Sequence, residues 1–323
     1  MQWQPRPGRD GRIRRSRRHR RIRWGRLLPA LVGLMLLLYG LIRLIAYGIE
    51  ATASRRTNRE MQTIYYNHRS DTPLPESVTP SPSPTPSPAR PTGVPPTPTQ
   101  SPIPRLSAGV YAYNSGLRIS SQFRALRKEN KDIVAWLNMG GLLDQAVAQR
   151  DNVYYLDHDL KGGSNVNGAL FLDAAIDLKN RPYTLIVYGH NMKSGAMFGS
   201  LRNYENLTFY HRDPFITFDQ MYEPGRYVIF AVGSISVEEY GTHYVDFFGL
   251  KSANIQERQT AINTLMEASV HTCAVDVQVE DQLLILVTCT EKDENRRVVA
   301  ARRIREGEDE KTLLGQVKKS RKK

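Results

Sequence analysis

LLILVTCTEKDENRRVVAARRI, residues 283–304, decides the reading of this chain. LLILVT is a short apolar run bounded by a polar turn, which reads as a buried strand. RVVAA, from Arg297, reads as the next strand, and EKDEN between them as an exposed turn in which Glu291 can help shape a groove. The first strand delivers Cys289 at its tip. Arg296 and Arg297 follow across a tight connection, and only one of them can point to the side of the thiol, because neighbours along a strand face opposite sides.

Working outward, TLIVYGHNM (184–192) is a second apolar strand, and it runs into Gly189, His190 and Asn191. Further short β-rich runs are NVYYL from Asn152, ALFLD from Ala169 and YVIFAVGSIS from Tyr227. Helical spacing is confined to SGLRISSQFRALRKEN (115–130) and IQERQTAINTLMEAS (255–269). Strands separated by irregular loops, with few helices, predict a mostly β domain over residues 106–323: a barrel or curled sheet with accessory helices. No internal repeat is evident.

The amino-terminal third differs in kind. Residues 1–26 hold eleven arginines against one acid, Asp10, so this tail supplies +10 of the formal +13. The pI near 9.8 therefore describes the tail more than the folded part. Residues 27–49 carry one charge, Arg43, and are long enough to cross a bilayer as a helix. Arg43 lies near one end, where its stem can snorkel. The basic tail predicts a cytoplasmic amino terminus and an extracellular remainder, in a single-pass cell-membrane protein. A cleaved signal peptide is the competing reading, but the apolar stretch is too long for one and lacks a clear small-residue cleavage site. Residues 50–105 form a stalk and linker. TNREMQTIYYNH reads as a possible helical stalk, and residues 73–104 hold thirteen of the nineteen prolines. Proline at that density excludes helix and sheet and predicts an extended spacer that holds the domain away from the membrane.

Two cysteines exclude a disulfide scaffold, and the spacing of sixteen from Cys273 to Cys289 leaves no C-x-x-C pair for zinc. A thiol attacks as thiolate, so Cys289 needs a base or cation beside it, which His190 can supply. Where negative charge develops on a substrate carbonyl, an arginine offers a permanent charge and several donors. Each element alone has a bland reading: a structural histidine, a small core cysteine, a solvated arginine pair. His271 and Cys273 form an H-x-C pair whose use as a metal site with His190 and Cys289 would silence the thiol. No metal and no cofactor is expected, and Cys273 reads as a core residue. His158, His211 and His243 read as solvated, and so does the carboxy-terminal KKSRKK.

Four segments in order resemble class B sortases: NKDIVAWLNM (130–139), DNVYYLDHDLKGGSNVNGALFLD (151–173), YGHNMKSGAMFGSLRNY (188–204) and LVTCT (286–290). The resemblance implies a sortase-type closed β-barrel, with the helix at 254–269 inserted between the strands that frame the substrate groove. It implies a cysteine transpeptidase of a Gram-positive cell surface, with Cys289 as nucleophile, His190 as acid and base, and an arginine at the oxyanion. Its partners would be secreted proteins with a carboxy-terminal sorting signal, cut after threonine. An amine of a peptidoglycan precursor or a pilin lysine would be the acceptor, and nucleic acid is not a partner. Asn191, Thr288 and Glu291 are the candidates for substrate binding. The sequence departs from the family at Val287 and after the cysteine, at Thr290, Glu291, Lys292 and Asp293. Ungapped counting points to Arg297, whereas the family's R-x-V-V pattern falls on Arg296, Val298 and Val299 and favours Arg296. A tethered cysteine protease is the alternative, although papain-like chains place cysteine before histidine. A wall-binding module without catalysis gives no reason for Cys289 at a strand tip.

Overall fold

The computed structural model describes residues 24–69, 111, 114–289 and 295–323. The proline-rich stretch at 73–104, most of the basic tail and residues 290–294 lie outside the described residues. Two compact units divide between Ile49 and Glu50. Helix α1 (Trp24–His68) is the one described helix long and apolar enough to cross a membrane, with a mean hydropathy of 2.0 in its most apolar window. Its side chains from Leu31 to Ile45 are almost all exposed, as expected of a surface suited to lipid rather than water.

The second unit is built on eight strands: β1 (Ile133–Asn138), β2 (Asp144–Ala148), β3 (Leu170–Leu172), β4 (Thr184–Tyr188), β5 (Phe215–Gln220), β6 (Arg226–Ser236), β7 (Leu283–Cys289) and β8 (Asn295–Arg303). They pair in the order β1-β2-β3-β4-β7-β8-β6-β5, and β5 pairs back onto β1, so the strands form a ring. Most neighbours are antiparallel. The exceptions are β2 with β3 and β4 with β7, which run parallel. Parallel strands need a long crossover, and between β4 and β7 that crossover contains β5 and β6. Both strands are buried almost throughout, which is why each reads as an unbroken apolar run rather than an alternation.

Helices α2 (Ser121–Glu129), α3 (Tyr154–Asp157), α4 (Leu207–Arg212), α5 (Phe247–Lys251), α6 (Ile255–Ala268) and α7 (Glu310–Val317) decorate the ring. Asn254 caps α6 by accepting from the Gln256 amide, and Asp309 caps α7 through Lys311 and Thr312. Ala261, Ile262 and Leu265 of α6 join the main core. Arg258 on the same helix is fully buried and donates to the carbonyls of Tyr183, Leu250, Val279 and Asp281. One guanidinium thereby ties α6 to the segments that lead into β4 and β7.

Two expectations change. NVYYL is not a strand. The Asp151 carboxylate accepts from the amides of Val153 and Tyr154, at 2.8 and 2.6 Å, and this turns the chain into α3. The terminal KKSRKK keeps its five basic residues exposed, as expected, but it is docked rather than free: Ser320 is buried, Thr272 N donates to Arg321 O, and Lys323 Nζ donates to the last carbonyls of α6. The expected helix at 57–68 is present, as part of α1, and its Met61 and Tyr65 are fully buried in a second core cluster with Phe123, Trp136 and Phe171.

Candidate active site

The site is assembled where β4 and β7 end side by side. The parallel register sets Tyr188 opposite Val287, and the Gly189 amide donates to Val287 O at 3.2 Å. β4 ends at Tyr188 and β7 at Cys289; continued two residues past the end of β4, that register would set His190 opposite Cys289. On the other side of β7 the antiparallel register pairs Cys289 with Arg296 and Thr288 with Arg297. His190 thus follows β4 by two residues, while Cys289 ends β7 and Arg296 lies near the start of β8, the next strand of the ring.

Local backbone chemistry explains the position of His190. A Cβ at residue 189 would fall 2.5 Å from the Leu170 side chain and 2.9 Å from that of Phe198, so only glycine fits between β4 and the elements packed against it. After His190 the chain makes a closed loop. Asn191 bridges Met197, Gly195 turns at φ +83°, and Phe198 N donates back to His190 O at 3.0 Å. Met197 adopts φ +48°, a left-handed conformation that costs a non-glycine residue energy and that is typically retained at functional loops. The half-buried His190 ring places Nε2 2.6 Å from Leu156 O, just past the start of α3. A carbonyl only accepts, so Nε2 carries the proton and Nδ1 is the nitrogen left for exchange.

The two arginines separate cleanly. Arg297 lies on the face of β8 that meets the 3-10 helix Phe198–Glu205, where its Nε donates to Glu205 at 2.8 Å. Thr288, its cross-strand partner, is buried at 2% exposure on that same face. Arg296 faces the other way, and its charge acts on Tyr188. Burial chiefly raises the Tyr188 phenol well above its ordinary range, with the Asp173 carboxylate adding to the effect and Arg296 opposing it. The phenol donates to Asp173 Oδ2 at 3.1 Å, and Lys251 of α5 reaches Asp173 Oδ1 at 3.3 Å. Asp173 itself is 4% exposed, so this carboxylate is held between two donors under the face that carries Arg296. Sequence reading passed over Asp173, Tyr188 and Lys251. The only signal was that all three lie in or beside segments already singled out.

Asn191 is half-buried in the loop after His190, and Glu291 lies outside the described residues. Cys273 is half-buried, donates to Val275 O, and has its thiol pushed up by burial, which is the behaviour of an inert core thiol. His271 donates Nε2 to Tyr204 O and stacks on Tyr210, and no cluster of metal-ligating groups occurs among the described residues. A cleft of about 1210 Å³ opens at the opposite end of the ring, between Arg181, Glu223, Arg303 and Arg305. It is laced with ion pairs and carries none of the residues discussed here, so cavity size does not identify this site.

No family model matches the chain. Two curated proteins do. Sortase B of Staphylococcus aureus is 28% identical over 190 residues, which is 58% of this chain and 75% of that protein. Sortase B of Listeria monocytogenes is 31% identical over 178 residues, 54% of this chain and 70% of that protein. Among solved structures, Staphylococcus aureus sortase B superposes with a TM-score of 0.52 at 28% identity, over 59% of this chain and 90% of that one. A Bacillus anthracis protein described as similar to sortase B superposes with a TM-score of 0.56 over 78% of this chain and 96% of that one; at 24% identity it supports the fold alone. The ring of strands, the histidine and cysteine delivered by a parallel strand pair, and relatives at this level lead to one assignment: the chain belongs to the class B sortases, and it is a sortase-type cysteine transpeptidase.

Proposed function

We propose that this chain is a membrane-anchored sortase with a closed-barrel catalytic domain, in which Cys289, His190 and Arg296 carry the reaction. The Cys289 thiol passes its proton to His190 Nδ1, the resulting thiolate attacks the carbonyl carbon after threonine of a sorting signal, and negative charge moves onto the carbonyl oxygen beside Arg296. Collapse breaks the peptide bond and leaves a thioester, while His190 gives its proton to the departing amine. An amine of a peptidoglycan precursor or a pilin lysine then attacks the thioester, loses a proton to His190 and frees the thiol. Asn191 and Glu291 belong to the groove rim in this reading, and Thr288 contributes its main chain to the floor. The basic tail lies in the cytoplasm, α1 crosses the membrane, and the barrel faces the wall.

The observation that supports this reading is the double register of β7, parallel to β4 on one side and antiparallel to β8 on the other. Directly opposed residues share a sheet face, which favours Arg296 over the ion-paired Arg297. The test is a peptide-library cleavage assay with an added amine, read by mass spectrometry. Ligated product and a thioester adduct are expected from the native chain, and neither from Cys289→Ala. Free acid as the bulk product in the presence of saturating amine would replace transfer with hydrolysis, and full turnover by Cys289→Ala would end the assignment.

A further inference from the structure

We infer that the enzyme is held to its membrane anchor by docking of Glu50–His68 on the barrel, so that the proline-rich segment is a side loop and sets no distance from the membrane. The inference rests on the anchoring reading above, and it reverses the role that composition gives that segment.

Two sets of contacts carry it. Upstream of the prolines, residues 50–69 belong to the catalytic unit, and their contacts run from Glu50 to Arg69. Asn165 donates to Ser54 Oγ at 2.9 Å, and the Val166 amide to the Glu50 carboxylate at 3.1 Å. Gln62 and Asn58 both donate to Asp144 O, at 2.8 and 3.1 Å. Met61 and Tyr65 are 0% exposed, and the Tyr65 ring stacks on Trp136 of β1 with centroids 4.3 Å apart. Tyr65 also donates to Asp219, which Arg69 pairs at 3.5 Å. A stacked, fully buried aromatic with a satisfied hydroxyl is the hallmark of an interior, not of a tether.

Downstream, the chain re-enters at the same place. Tyr111 is buried edge-on against Tyr222 at 5.7 Å, and Asn114 donates to Tyr222 O at 2.7 Å. Asp219 and Tyr222 sit three residues apart, in and just after the end of β5. The forty-one residues between Arg69 and Tyr111 therefore leave from one short hairpin and return to it. A segment with both ends pinned to one hairpin cannot act as a spacer, whatever its stiffness, because a spacer's reach is the separation of its ends.

The experiment uses the full chain in membranes, with a specific endoprotease site inserted between Pro88 and Ala89. After cutting, more than nine-tenths of the catalytic fragment is expected to sediment with the membrane. Met61→Ala with Tyr65→Ala is expected to raise the released share at least fivefold, and the released fragment's peptide-cleaving activity shows that its barrel is folded. A second measurement does not depend on that variant. Ser54→Cys with Asn165→Cys, in a Cys289→Ala background, is expected to keep the cut pieces together on a non-reducing gel. Release of the native fragment on cutting, or failure of this cysteine pair to join, overturns the inference and leaves the anchoring reading standing. Full chain found in the soluble fraction before any cut overturns both.

Discussion

The two ends of the strand ring are built on opposite principles. At the end opposite the candidate site, charges are spent on one another. Arg181 and Arg303 share Glu223, Arg302 is bidentate to Glu308, and Arg305 bridges Asp276 and Asp281. Close by, the buried Arg258 holds four carbonyls. At the site end the restraints are on the backbone: a glycine with no room for a Cβ, a closed loop after His190 and a strand register. Side-chain ion pairs fix one end, and main-chain geometry fixes the other, where the proposed reaction takes place.

Substitutions can break this division. The largest effect is expected from Cys289→Ala, with no thioester detectable by intact-mass spectrometry and an unchanged thermal midpoint. Arg296→Ala is next, lowering kcat/KM by about 10²–10³, the scale of a lost oxyanion donor. Arg297→Ala, which only frees Glu205, should leave kcat within about threefold; a reversal of the two in a peptide-cleavage assay would exchange their roles. Arg258→Ala should cost about 3–5 kcal/mol in urea unfolding, since it strands buried acceptors. Its guanidinium, drawn down by burial to about 10, stays charged at neutral pH. An unfolding cost under about 1 kcal/mol would show that the opposite end does not bear the stability assigned to it. Tyr188→Phe removes one hydrogen bond to Asp173 and should cost about 0.5–1.5 kcal/mol, with a modest loss of kcat.

A pH series sharpens the same contrast at the smallest scale. Hydrogen bonds from Arg305 hold the Asp276 carboxyl below its ordinary value, and contacts with Arg302 outweigh burial to lower Glu308. These groups bind protons less readily folded than unfolded, so their contribution is present above about pH 4 and is lost as pH falls through the depressed values. His271 is also lowered, by burial, so the unfolded chain takes up its proton first and stability begins to fall below about 6.5. Amide exchange followed down the pH scale should therefore open β8 and α7 before the β4–β7 pair. Early opening of β4–β7 would contradict the division.

Much of this was legible in the residues. TLIVY and LLILVT could be read as buried strands because both faces are covered, and the site residues stood at their ends. Other elements left weaker traces. Ile133–Asn138 passed unnoticed as a strand beside its family-like motif, and Asp144–Ala148 is too short and polar to announce one. NVYYL misled because its aromatics favour a strand, while one carboxylate two residues upstream of Val153 turns the backbone. Arg258 gave no signal, since a charged residue on a polar-looking helix becomes buried only through tertiary placement.

The parallel junction of β4 and β7 also constrains when this enzyme can come into being. Its two strands lie almost a hundred positions apart, and nothing local draws them together, so their meeting ranks among the slower steps of folding. Until it happens, Cys289 and His190, the pair on which the proposed reaction depends, stand apart in the nascent polypeptide. On the proposed assignment, reactivity is withheld from every unfinished form of the molecule.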